Sequence, residues 1–368
     1  MKHRCEECGR EWDYPLANCI FCGGNISKVD IDKYTIEEIV QVFVPTEDHP
    51  ITPYFTMLLK DSDGSHRFQK TFQRFDIGQT IHAKEGLDEN LIIGIVGTGI
   101  TGKGLAEVAL RAGAKVILKS RSVAALDSIL DAISKNLSKS MNSNDVQIML
   151  KNLITTTDYE FLAESDFVIE SVIEDIEAKR NVFHRLDSIC GPDVVLASNT
   201  SSLQISQIAK NLKYPERAVG LHFFNPIVRM QLVEIVKGNY TSDDVLMNCA
   251  ELVSRLNKVS ILVKDTPGFV VNRLLFAMIN EACHMLDQGI SRIENIDNAM
   301  KLGANFPMGP FELADFIGID LCRDIIENMD KSSNSALFHP SDVMNDLIKK
   351  GHLGKKAGRG FYDYNYHH

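Results

Sequence analysis

From Leu91 onward the chain alternates short, wholly apolar runs with longer amphipathic ones. Ile92 to Val96 reads as a buried strand, and Gly102 to Ala112, apolar on one face, as a helix. Lys115 to Leu118, Phe167 to Ser171 and Val194 to Ala197 are again strand-like. Alternation of this kind predicts a parallel sheet covered by helices on both faces. Past Asp265 the strand signal stops, and helical periodicity runs from Val270 to Met285 and from Ile296 to Leu302. Before Leu91 the pattern differs. Val40 to Val44 and Tyr54 to Leu59 are rich in β-formers, punctuated by Pro45, Pro50, Pro53 and the turn Asp61-Ser62-Asp63-Gly64. A small antiparallel barrel is expected there, and Lys84 to Asn90 reads as a linker. The expected organisation is therefore a cysteine-bearing module (1–26), a β-barrel (27–86), a Rossmann-type α/β unit (90–264) and an all-α region (265–368).

The 368 residues are 44% hydrophobic and 24% charged, ordinary for a globular protein. A formal net charge of −10 argues against nucleic acid or an anionic membrane as the main partner. Any phosphate-bearing ligand must then meet a local cluster of donors. The start, Met1-Lys2-His3-Arg4-Cys5, has no apolar stretch behind it, and no segment approaches the roughly 18 apolar residues of a membrane span. A cytoplasmic protein is expected. Of the 8 cysteines, Cys190, Cys249, Cys283 and Cys322 are scattered in apolar or helical stretches, as free thiols in a reducing compartment would be.

The other four form two chelating knuckles, Cys5-x2-Cys8 and Cys19-x2-Cys22. Four closely spaced thiolates suit tetrahedral Zn²⁺, and with every position filled by protein the metal would be structural. This piece and the β-rich segment after it resemble the zinc-ribbon/OB-fold family found beside acyl-CoA enzymes. The matching features are the knuckles, Gly24-Asn25-Ile26 and the stretch Asp76 to Ile81. That resemblance implies acyl-CoA binding, or docking to a thiolase-like partner.

Gly97-Thr98-Gly99-Ile100-Thr101-Gly102 follows the first apolar strand and opens a helix. The first glycine permits a tight turn, the second lets a pyrophosphate approach the backbone, and the third allows close helix–strand packing. A dinucleotide cofactor is expected on the helix N-terminus. The next strand ends at Lys119-Ser120-Arg121, where an NAD site usually places a carboxylate for the ribose 2′-hydroxyl. Ser120 would not repel a 2′-phosphate and Arg121 can pair with one, so NADP(H) is favoured over NAD(H).

Three later stretches put polar residues at apolar strand ends: Ala197 to Ser202, Gly220 to Pro226 and Leu232 to Ile235. Removing hydride from a secondary alcohol requires a base for the hydroxyl proton, and His222 suits that task. Glu234, set among apolar neighbours, needs a partner and can orient the imidazole. These stretches resemble the 3-hydroxyacyl-CoA dehydrogenase family. So do Val168 to Glu174, Asp265 to Arg273, Phe306 to Leu313 and Gly354 to Tyr362, so the match runs from about Leu91 to the C-terminus. The resemblance implies that His222 is the acid/base and Glu234 its orienting partner. It implies that Ser201 and Asn272 bind the reacting oxygen or the thioester. Glu174 and Lys179 would sit near the nicotinamide ribose, with Ser201, Asn225 and Lys356 also close to the cofactor. The expected substrate is a short-chain 3-hydroxyacyl-CoA and the expected assembly a homodimer through the helical region. Two other readings are a dehydrogenase of free 3-hydroxy acids and an acyl-CoA scaffold. The second fits poorly with a complete catalytic set.

Overall fold

The computed structural model describes residues 2–8, 11–12, 22, 26–29, 33–42, 54–61, 64, 66–71, 76–82, 91–333 and 338–365. At the N-terminus β1 (Lys2–Cys5) pairs antiparallel with β2 (Glu11–Trp12) and β3 (Ile26–Val29). A second antiparallel sheet contains β4 (Lys33–Val42), β5 (Tyr54–Asp61), β6 (His66–Thr71) and β7 (Thr80–His82), in the order β6-β5-β4-β7. Tyr34, Ile36, Met57 and Leu59 form its small core. The expected barrel is seen only as this sheet: among the described residues no strand joins its edges β6 and β7. The linker at 84–90 lies outside the described residues.

The central unit has eight strands: β8 (Ile92–Val96), β9 (Lys115–Lys119), β10 (Leu153–Thr156), β11 (Phe167–Glu170), β12 (Val195–Ser198), β13 (Ala218–Phe223), β14 (Leu232–Lys237) and β15 (Val259–Lys264). They lie in the order β10-β9-β8-β11-β12-β13-β14-β15, so the direction of winding reverses between β8 and β11. The helices between them are α1 (Ile100–Arg111), α2 (Val123–Leu137), α3 (Ser143–Leu150), α4 (Ile176–Ile189), α5 (Ile205–Ile208) and α6 (Asp243–Arg255). Side chains of α1, α2, α3 and α6 pack one face of the sheet and those of α4 and α5 the other. Strands buried on both faces explain why the runs are apolar without alternation. Ile93 and Ile95, fully buried, each contribute about 1.5–3 kcal/mol relative to exposure. Asp175 caps α4 by accepting the amide of Ala178 at 2.8 Å.

The expectation of an all-parallel sheet fails at one place. β13 and β14 are antiparallel, because the eight residues between them are too few for the crossover that a parallel pair needs. β15 then runs parallel to β14.

The C-terminal region is helical: α7 (Val271–Asp287), α8 (Ile293–Asn298), α9 (Pro310–Ile317), α10 (Ile319–Ser333) and α11 (Asp342–Lys349). The helix expected over Ile296 to Leu302 begins earlier and passes into a π turn at Ala299–Gly303. Phe276, Ile279, Cys283, Phe311 and Ile326 centre its core. Two buried carboxylates fasten the rest. Asp297 accepts the first amides of α9, from Phe311 at 2.9 Å and Glu312 at 3.1 Å, and the Tyr362 hydroxyl at 2.8 Å. Asp315 accepts the amides of Phe361 and Tyr362, both at 2.9 Å, and pins the tail. Among the described residues no helix is long and apolar enough to cross a membrane.

Candidate active site

The antiparallel β13–β14 pair places His222 directly opposite Glu234. Their side chains meet: His222 Nδ1 lies 2.6 Å from Glu234 Oε2, with the imidazole nearly buried and the carboxylate fully so. Glu234 Oε1 accepts the amides of Val270 (3.0 Å) and Val271 (2.9 Å), where α7 begins. The start of α7 thus holds one carboxylate oxygen and the imidazole the other, so both oxygens are occupied. Phe224 and Phe269 flank the imidazole at ring-centroid distances of 4.5 and 5.5 Å. With Nδ1 committed to Glu234, Nε2 is the nitrogen left for a ligand.

A second polar knot sits at the ends of β11 and β12. Glu170, wholly buried, accepts Lys179 Nζ (2.9 and 3.2 Å), Ser198 Oγ (2.7 Å) and the amide of Val172 (2.6 Å). Lys179 also approaches Glu174 Oε2 at 3.3 Å. Glu174 Oε1 gathers the following loop: the Thr200 hydroxyl (2.6 Å), the Ser201 amide (3.0 Å) and the amide and hydroxyl of Ser202 (both 2.9 Å). Burial pushes the Glu174 carboxyl up, but Lys179 and these donors outweigh it and hold it below the ordinary glutamate value. Ser201 in turn offers its carbonyl to Asn272 Nδ2 at 3.3 Å, which ties the loop to α7. Asn199 Oδ1 accepts the amide of Phe223, beside His222, at 2.8 Å. Glu170 and Asn199 were not singled out from sequence. A charged residue closing the apolar run Phe167–Ile169, nine positions before Lys179, was the available signal for Glu170.

The glycine-rich turn fits a dinucleotide. A Cβ on Gly97, whose φ is +118°, would run into the Ser171 carbonyl, and one on Gly102 into the Gly97 carbonyl. A Cβ on Gly99 meets nothing within 4 Å, so the backbone there faces open space at the start of α1. The first turn of α1 carries no acidic side chain, so its positive end is uncompensated. Asn225 Nδ2 donates to Thr101 Oγ1 at 3.2 Å and bridges this turn to the loop after β13. Thr98 Oγ1 stands 3.5 Å from Ser120 Oγ, and Ile100 is exposed. Arg121 is exposed beside buried Ser120. Lys356 pairs instead with Asp320 of α10, at 2.6 Å. Of the four N-terminal cysteines, Cys19 lies outside the described residues, as does the side chain of Cys5; Cys8 and Cys22 are exposed.

A strand–glycine turn–helix unit on a doubly wound sheet, with an imidazole near the end of β13 paired to a carboxylate near the start of β14, defines a nicotinamide-dependent dehydrogenase. Residues 92–266 match the family description "3-hydroxyacyl-CoA dehydrogenase, NAD binding domain", and residues 268–364 its C-terminal domain. The chain is 40% identical over 279 residues to a 3-hydroxybutyryl-CoA dehydrogenase of Clostridioides difficile, covering 74% of this chain and 99% of that one. It is also similar to the solved (S)-3-hydroxybutyryl-CoA dehydrogenase of Ralstonia eutropha, with 36% identity, a TM-score of 0.72 and coverage of 75% and 99%. A solved 3-hydroxybutyryl-CoA dehydrogenase of Escherichia coli gives 38% identity and a TM-score of 0.73 over 76% of this chain, which spans only 60% of that one. The chain belongs to the 3-hydroxyacyl-CoA dehydrogenase family. NAD(H) is the cofactor that this membership gives.

Proposed function

We propose that the chain catalyses reversible hydride transfer at C3 of a short-chain 3-hydroxyacyl-CoA, the 3-hydroxybutyryl/acetoacetyl pair, with His222 as acid/base. One observation carries the reading: Glu234 is locked between two helix amides and His222 Nδ1, so the imidazole has one nitrogen for chemistry. Bound cofactor supplies the hydride acceptor or donor. In the oxidation, His222 Nε2 takes the hydroxyl proton while Glu234 stabilises the resulting imidazolium. In the reduction, protonated His222 donates a hydrogen bond to the keto oxygen and then its proton. Asn272 and Ser201, already linked, hold the oxygen or the thioester. Glu174, Lys179 and Asn225 shape the cofactor side, and Lys356 contributes there only if its pair with Asp320 opens.

The acyl-CoA assignment draws support from the relatives, whose names specify 3-hydroxybutyryl-CoA. Comparing turnover of acetoacetyl-CoA with free acetoacetate, each with NADH and NADPH, tests it. Equal or better turnover of the free acid would favour the 3-hydroxy-acid reading. We also assign a structural zinc to Cys5, Cys8, Cys19 and Cys22 on their spacing. The N-terminal module that they anchor is proposed as an OB-like unit that docks a thiolase-like partner. About one zinc per chain is expected, and a metal-free preparation with all four thiols titratable would remove the assignment. Homodimerisation through the helical region is supported by the exposed Leu274 and Phe316. The scattered thiols Cys190, Cys249, Cys283 and Cys322, which suit a reducing compartment, support a cytoplasmic location.

A further inference from the structure

The adenosine end of the cofactor site carries an excess of positive charge that binding of NAD(H) alone does not require. At the end of β9, Lys119 is nearly buried, and its ammonium lies 3.8 Å above the Tyr159 ring. The Arg185 guanidinium, from α4, stands 5.5 Å from the same ring. Arg121 is exposed two residues further along the chain. Lys119 and Arg185 thus meet at one ring, with Arg121 directly after the same strand; burial first, then Arg121 and Arg185, hold Lys119 below the ordinary lysine value, while Asp158 opposes them. Where a 2′-hydroxyl-binding carboxylate would stand, Ser120 is buried. Its hydroxyl accepts the Ser122 amide at 3.3 Å. Two carboxylates, Asp158 and Glu160, also stand at this corner and offset part of its charge, leaving three cations against two anions. Asp158 Oδ1 accepts the Glu160 amide at 3.2 Å, and Glu160 lies 3.7 Å from Arg185 across an exposed pair.

Three cations in one corner of a chain with net charge −10 repel one another, and a dianion would relieve that repulsion. We propose that Arg121, supported by Lys119 and Arg185, receives the 2′-phosphate of an adenine nucleotide, so that this chain selects NADP(H) over NAD(H). Ser120 contributes by removing the charge that would exclude the phosphate. The inference rests on the reading of the glycine-rich turn as a dinucleotide site. It does not depend on the assignment of His222.

Titration calorimetry with 2′,5′-ADP and 5′-ADP on the full chain tests it without turnover. We expect 2′,5′-ADP to bind at least about tenfold tighter, as charge-assisted bonds to phosphate require. Arg121→Gln should reduce the ratio to under about threefold, and Ser120→Asp should invert it. Higher salt should narrow it in the unmodified chain. Equal binding of the two nucleotides, or a ratio unmoved by Arg121→Gln, would overturn the assignment. Tight 2′,5′-ADP binding combined with no oxidation of NADPH by acetoacetyl-CoA would uphold it and count against the proposed reaction instead.

Discussion

Exchanging Glu234 for glutamine changes one atom in the buried pair and has a direction that the geometry dictates. The side-chain oxygen of the introduced amide must face Val270 and Val271, whose backbone N–H groups now donate to Oε1 at 3.0 and 2.9 Å. Turning the NH2 towards them would leave two buried donors unsatisfied, at about 1–3 kcal/mol each. The NH2 therefore points at His222 Nδ1, which must accept. In the neutral ring the proton then sits on Nε2, the nitrogen that has to take the substrate proton. The base is silenced by tautomer, and the imidazolium loses its counter-charge. An aspartate-to-asparagine exchange behind the histidine of serine proteases lowers kcat about 10⁴-fold for this reason. For Glu234→Gln we predict a fall in kcat of about 10²–10⁴ for acetoacetyl-CoA reduction and for the reverse reaction. Cofactor affinity, followed by quenching of NAD(P)H fluorescence, should stay within about threefold, since the Glu234 side chain is fully buried behind His222. A variant whose kcat lies within about threefold of the parent, with an unchanged pH profile, would refute the reasoning.

Gly99→Ala and Gly102→Ala should separate binding from folding. The first adds a methyl to open space, so the melting temperature should hold while the cofactor Kd rises about tenfold or more; the second collides with the Gly97 carbonyl and should lower both stability and yield. Because the folded state holds the Glu174 carboxyl below its ordinary value of 4.5, its stabilisation is complete above that value and is lost as pH falls through the lower folded value. Urea unfolding should accordingly show a destabilisation by Glu174→Gln that is largest near pH 7 and shrinks below about pH 4.5. Burial raises the Cys190 thiol to about 11 and Cys322 to about 12, and places Cys249 and Cys283 above their usual range. Mass-resolved labelling at about pH 8 should leave these four unmodified in the native chain and modify them in denaturant; rapid native labelling would show that this packing is wrong.

Periodicity alone carried much of the central architecture, because strands buried on both faces are unbroken apolar runs and the helices between them are amphipathic. It did not reveal the direction of β14. Leu232 to Ile235 reads the same in either orientation, and only the short connection to β13 decides it. That antiparallel turn is what sets Glu234 opposite His222, near the beginning of its strand rather than the end. The chemistry of His222 was legible as a residue type, but what holds Glu234 at Oε1 was not. Val270 and Val271 contribute backbone amides, which leave no trace in side-chain identity. The same holds for Glu174, whose grip on 200–202 depends on loop geometry. Lys356 illustrates the opposite risk, since its partner in the fold is Asp320, in its own helical region.

The account stands on the imidazole of His222. Steady-state reduction of acetoacetyl-CoA by His222→Ala, with nucleotide affinity measured on the same preparation, tests it most directly. The prediction is turnover lower by about a hundredfold or more with the nucleotide still bound. Turnover close to that of the unmodified chain would contradict it.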